Sequence, residues 1–196
     1  MTNRNACIAA VLCLATAASL PAQGPGTIGA TVGINFSSVT GSDDDPSTRT
    51  GFRAGLYTIL DLKGNLFWQP EVAFTSKGAD FESAELVINY IQIPVLLRST
   101  FPGEAMSLYV LSGPAIAFKI GCDINPDVGS SVDCGPSTTD VKSTDFSLML
   151  GAGAQFGQIG VDLRYDLGLT NINNDGENDV KSSAFTVSVA YAFARR

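Results

Sequence analysis

Residues 159–168 read Ile-Gly-Val-Asp-Leu-Arg-Tyr-Asp-Leu-Gly. Ile159, Val161, Leu163, Tyr165 and Leu167 alternate without a break against Gly160, Asp162, Arg164, Asp166 and Gly168. Successive side chains of an extended chain point to opposite faces, so this stretch is a strand with one apolar face and one small or charged face. The same period of two runs through residues 27–36, where Ile28, Ala30, Val32, Ile34 and Phe36 alternate with Thr27, Gly29, Thr31, Gly33 and Asn35. It returns in residues 184–193, with Phe185, Val187, Val189, Tyr191 and Phe193 sharing one face. Similar segments at 51–61, 66–77, 85–98, 106–119 and 143–156 bring the count to eight. The connections at 62–65, 99–105 and 157 are short; those at 37–50, 78–84, 120–142 and 169–183 are longer and mostly rich in Asp, Asn, Ser and Gly. Short turns on one rim and long polar loops on the other describe an antiparallel up-and-down meander closed into an eight-stranded barrel. No βαβ spacing or helical period is present, which excludes a parallel α/β fold.

Such a meander closes either as a soluble barrel, apolar inside, or as a transmembrane barrel, apolar outside. Alternation does not separate the two, but the make-up of the polar face does. That face carries many Gly and Ala residues together with Arg53, Glu71, Arg98, Asp145, Asp162, Arg164 and Asp166. Small residues suit the crowded inside of an eight-stranded barrel, which has room only for side chains. They suit a solvated exterior poorly. Mixed charge signs also fit an interior, because buried charges must be paired or hydrogen-bonded. The other face is a belt that includes Ile91, Ile93, Val95 and Leu97, then Phe146, Leu148 and Leu150, with Trp68, Tyr165, Tyr191 and Phe193 as candidate interfacial aromatics. The expected solvent of that belt is lipid, and the expected location is the bacterial outer membrane.

The ends and the composition agree. Residues 1–22 hold one charge, Arg4, then an apolar run from Ala6 to Leu20 and the small-residue zone Pro21-Ala22, which is the pattern of a cleaved signal peptide. The barrel domain is then 23–196. Removing the leader leaves 11 basic against 19 acidic residues, a formal charge of −8. That balance disfavours nucleic acid as a partner. With 45% hydrophobic and 16% charged residues the chain is no disordered polymer. It contains no histidine at all, which removes Ser–His and Cys–His nucleophile pairs and His-liganded zinc sites. No enzymatic activity and no cofactor are expected.

Several motifs resemble the PorT-like outer-membrane β-barrel family. They are Gly51-Phe52-Arg53-Ala54-Gly55-Leu56, Gln69-Pro70-Glu71-Val72 followed by Lys77-Gly78, Asn89-Tyr90-Ile91-Gln92-Ile93-Pro94-Val95-Leu96-Leu97, and Gly113-Pro114. They occur in the family's order across essentially the whole mature chain. The resemblance implies an eight-stranded barrel and no particular activity. Two positions depart from it: Gln92 stands where the family often has glutamate, and Arg195-Arg196 follow the last aromatic.

Three groups of residues are candidate sites. The inward charges Arg53, Glu71, Arg98, Asp145, Asp162, Arg164 and Asp166 make either a salt-bridged plug or a polar conduit, and eight strands leave no aqueous channel by themselves. Cys122 and Cys134 are the cysteines left outside the leader, and in an oxidising compartment they are expected to form a disulfide. It would stabilise the fold by about 3 kcal/mol on the loop-entropy model. Acidic residues fill the long loops: Asp43-Asp44-Asp45, then Asp123, Asp127 and Asp133 beside the disulfide, then the run 171–179. Within that run Asn171, Asn173, Asp175 and Asp179 have the alternating oxygen spacing of a calcium loop. Two of the four are amides, and Ser182 stands where a bidentate glutamate would close the site. Asx-Gly turn chemistry is the simpler account, and no metal is expected. The expected role is a monomeric structural or surface-interaction barrel whose loops meet an extracellular or envelope protein. Its rivals are a narrow pore for small solutes and a soluble periplasmic, lipocalin-like ligand-binding barrel.

Overall fold

A computed structural model of the chain describes residues 26–40, 47–81, 84–126, 132–134, 142–170 and 181–194. Their elements are β1 (Gly26–Thr40), β2 (Ser47–Lys63), β3 (Leu66–Phe81), β4 (Ala84–Phe101), β5 (Ser107–Pro126), β6 (Val132–Asp133), β7 (Thr144–Phe156), β8 (Ile159–Gly168) and β9 (Lys181–Ala194). Hydrogen-bonded neighbours follow the order β4-β3-β2-β1-β9-β8-β7-β5, and β5 pairs with β4 to close the ring. Eight antiparallel strands therefore make the barrel, and two-residue β6 hangs on the far end of β5. Closure gives each of the eight barrel strands two neighbours, so the ring itself has no open edge, which is the condition for a sheet to span lipid.

The faces fall as the period of two demands. Along β8, Gly160, Asp162, Arg164, Asp166 and Gly168 are buried while Ile159, Val161, Leu163, Tyr165 and Leu167 are exposed. Val32, Ile34, Phe52, Leu56, Val95, Leu97, Phe146, Leu150, Val187 and Val189 continue the apolar exterior around the ring. Trp68, Tyr191 and Phe193 lie outward near the short-turn rim, where Tyr191 and Phe193 meet edge to face at 5.7 Å. Gly64-Asn65, residues 102–106 and Gly157-Gln158 make that rim.

Two expectations need correction. Residues 78–84 are not a long loop: β3 and β4 stay paired out to Phe81↔Ala84, and only residues 82–83 join them. Likewise β1 runs to Thr40, β2 begins at Ser47 and β5 continues to Pro126. Beyond the lipid a strand no longer needs an apolar face, so the alternation fades while the hydrogen-bond ladder continues. Polar composition then reads as a loop. The interior, too, is less uniformly polar than expected. Leu96, Tyr109, Leu111 and Met149 form one inward apolar cluster, and Ile88, Tyr90, Ala117 and Cys122 another. The expected leader, residues 1–22, the acidic residues Asp43-Asp44-Asp45 and Asp127, and the final Arg195-Arg196 lie outside the described residues.

Placing a charge on the outer face should be costly in a depth-dependent way. Leu163→Arg, in the middle of β8, is expected to destabilise the barrel by about 2–4 kcal/mol, measured by denaturant unfolding in lipid vesicles. An unchanged unfolding midpoint would mean that this face does not contact hydrocarbon.

Candidate functional site

Glu71 is the centre of the interior. It sits on β3, and its carboxylate accepts hydrogen bonds from Arg53 Nη2 at 3.1 Å, Gln69 Nε2 at 2.8 Å and Arg164 Nη1 at 2.9 and 2.7 Å. Arg164 belongs to β8, which lies four strands from β3 in either direction around the ring. The Glu71–Arg164 pair therefore crosses the barrel's diameter. The second face of the Arg164 guanidinium donates to Asp162, Nε at 2.7 Å and Nη2 at 3.2 Å, and Tyr109 Oη donates to the same carboxylate at 3.1 Å.

A second connection crosses the lumen further out. Lys77 Nζ on β3 pairs with Asp166 Oδ2 on β8 at 2.5 Å. Gln92 links it to the centre: its carbonyl oxygen accepts from Arg53 Nη1, and its amide nitrogen donates to Asp166 Oδ2 at 2.7 Å. A carboxylate at position 92 would accept from Arg53 but have nothing to donate to Asp166. The departure from glutamate at this position thus matches the partners that surround it. Toward the outer end Arg49 pairs with Glu85 at 2.6 Å. Asn35 donates to Thr75 at 2.7 Å and accepts from Thr186 at 2.7 Å.

All seven inward charges expected from the sequence are buried. Glu71, Arg53, Arg164, Asp162 and Asp166 join one hydrogen-bonded network, which Arg98 enters through Gln69 Oε1 at 3.1 Å. Asp145 stands apart near the outer end of β7 and accepts from Thr170 Oγ1 at 2.6 Å. Lys77, Gln69, Gln92 and Tyr109 were missed as partners. Lys77 was findable, since it shares the odd parity of Glu71 on one strand. Gln69, Gln92 and Tyr109 carry no charge to flag them.

Glycine makes room for this packing. The ring of Tyr57 lies where a Cβ on Gly29 would stand, and the ring of Tyr109 does the same at Gly153. Inward glycines at these points let aromatic rings fill the lumen rather than leave it open.

At the outer end of β5, Cys122 and Cys134 form the expected disulfide, with Cα atoms 5.3 Å apart. It links β5 to the chain just after β6, where Asp123 pairs in register with Asp133 and Cys134 N–H donates to Cys122 C=O at 3.0 Å. The calcium candidates Asn171, Asn173, Asp175 and Asp179 lie outside the described residues. Among the described residues no three metal-ligating side chains converge.

An apolar outer belt, a closed ring and a charged interior are the marks of a transmembrane barrel. Residues 7–193 match the outer membrane protein beta-barrel domain family. The chain belongs to that family. It is a bacterial outer-membrane β-barrel, which excludes the soluble periplasmic alternative. No curated protein matches it in sequence. Among solved structures it is similar to Neisserial surface protein A, 13% identical with a TM-score of 0.53, covering 85% of this chain and 97% of that one. It is also similar to the outer membrane enzyme PagL, 15% identical with a TM-score of 0.52, covering 84% and 98%. A third is Ail, the attachment invasion locus protein of Yersinia pestis, 19% identical with a TM-score of 0.48, covering 86% and 99%. At these identities the likeness is one of fold.

Two measurements test the site. Glu71→Gln leaves Arg53 and Arg164 buried without their shared carboxylate, and is expected to cost about 3–5 kcal/mol of barrel stability in denaturant titration. Asp145→Asn, which breaks no ion pair, should cost clearly less. Equal effects would mean that the network adds nothing to single polar contacts. At the hairpin, partial burial and the neighbouring Asp133 carboxylate push the Asp123 carboxyl above its ordinary range. The folded hairpin therefore favours the protonated form, so this contribution is complete at low pH and is lost as pH rises through the raised value. Protection of the Cys134 amide from hydrogen exchange, corrected for intrinsic rate, should fall over that window. Asp123→Asn should flatten the dependence.

Proposed function

We propose that this barrel is a non-catalytic, monomeric surface protein of the PorT-like kind, holding an extended hairpin out from the membrane to contact an extracellular or envelope protein. The supporting observation is the mismatch between its strands. A transmembrane strand needs about 9–11 residues. β8 has 10 and β7 has 13, whereas β3, β4 and β5 have 16, 18 and 20. The excess lies on the rim opposite the short turns, which is the extracellular rim of such barrels. There the β3–β4–β5 sheet stands beyond the lipid, and the Cys122–Cys134 disulfide braces its tip. Binding segments work best on rigid supports. The ion-paired interior supplies that rigidity.

Two further observations support the assignment. The charges that an acid–base or conducting role would use are held in ion pairs, Glu71 with Arg164 across the lumen and Arg164 with Asp162 along β8. The chain also has no histidine with which to build a hydrolase dyad. The ordered motifs around Arg53, Glu71, Tyr90 to Leu97 and Gly113-Pro114 support the PorT-like kinship.

Cell-surface cross-linking followed by mass spectrometry tests the proposal. The intact chain should capture a defined protein partner. A variant in which residues 122–134 are replaced by a short turn should lose that partner while keeping heat-modifiable gel migration. Capture that survives the replacement, or discrete conductance steps of the wild type in planar bilayers, would overturn it. The second result would favour a narrow pore.

A further inference from the structure

Among the described residues, and besides the Arg49–Glu85 pair, the buried interior charges are four cations, Arg53, Lys77, Arg98 and Arg164, and four carboxylates, Glu71, Asp145, Asp162 and Asp166. Six of these eight are held in ion pairs: Arg53 and Arg164 with Glu71, Arg164 with Asp162, and Lys77 with Asp166. Arg98 and Asp145 are left over, and they sit at opposite ends of the barrel. Asp145 is the second residue of β7 on the extracellular side, and Arg98 lies near the short-turn end of β4.

Among the described residues no carboxylate lies within ion-pair distance of Arg98, although it is only 5% exposed. Its contacts are neutral. Nε donates to Thr100 Oγ1 at 3.2 Å, Nη1 donates to Gln69 Oε1 at 3.1 Å, and the guanidinium lies 3.7 Å above the Tyr109 ring centre. Thr100, Gln69 and Tyr109 hold the guanidinium in one orientation without neutralising it. A buried cation in that condition favours an anion, and a planar guanidinium suits a carboxylate.

Space for such an anion lies beside it. A cavity of about 320 Å³ opens at the short-turn mouth, and Arg98 forms part of its lining. Phe67, Ile59 and Met106 give it an apolar wall, and Asp61 and Glu104 stand exposed among its lining residues. One guanidinium balances one negative charge, and the two acids disfavour a dianion such as phosphate. The apolar wall favours a ligand with a hydrocarbon body. We propose that the periplasmic mouth of the barrel is a binding site for a small monocarboxylate with an apolar body, its carboxylate held by Arg98. The site lies at the opposite end of the barrel from the braced hairpin and is independent of the hairpin's role.

Isothermal titration of the full chain, folded in a nonionic detergent, tests it. The probes are N-acetyl-L-phenylalanine, its uncharged amide and inorganic phosphate. The carboxylate should bind at least tenfold more tightly than either of the others. Arg98→Gln should abolish that preference. Ala105→Trp should do the same by filling the cavity from an exposed turn, with the barrel network untouched, and so keeps the test decisive if the Arg98 variant does not fold. Equal binding of acid and amide, a preference for phosphate, or a carboxylate preference that survives in either folded variant would overturn the proposal.

Discussion

The bond between Glu71 and Arg164 crosses the barrel from one wall to the other, and the rest of the interior is arranged around it. The interior of an eight-stranded barrel has room for little besides side chains, so a buried ion left without an opposite charge or hydrogen-bond partners is costly. Glu71 serves two cations and Arg164 serves two carboxylates, which lets four charged groups from three strands neutralise one another. The Lys77–Asp166 pair repeats the same crossing further out. A soluble protein would fill such a space with Leu and Val. Here those residues are needed outside, so the polar face must supply its own cohesion.

That inversion explains the distribution of small residues as well. The buried charged side chains and the rings of Tyr57 and Tyr109 fit into the lumen because Gly29, Gly153 and their like leave room beside them. The exterior has the opposite requirement: broad apolar side chains facing lipid and a backbone with every hydrogen bond closed. Rigidity follows from both. A sheet cross-linked through its centre and closed at its edges is a firm support for longer outer strands, and the disulfide ties the chain after β6 to the outer part of β5.

The inner mouth is organised differently. Where the network ends, Arg98 is oriented by three neutral groups and faces a cavity, while its charge counterpart, Asp145, stands at the far rim. The plug is balanced in total charge along its length but not at its ends.

The sequence by itself determined the eight barrel strands, the antiparallel meander, the apolar outer belt and the inward direction of the seven named charges, Arg53, Glu71, Arg98, Asp145, Asp162, Arg164 and Asp166. It did so because side-chain direction in a strand is strictly local: each residue's face depends only on its parity. It misjudged where strands end, as at residues 78–84, because outside lipid neither face need be apolar and the parity signal disappears. Partnership was decided only by the tertiary structure. Glu71 and Arg164 are 93 residues apart, and they meet because closing eight strands sets β8 directly opposite β3. Lys77 finds Asp166 for the same reason, and Arg98 is left without a carboxylate for the same reason. Parity can say which residues face inward; only closure of the ring decides which of them face each other.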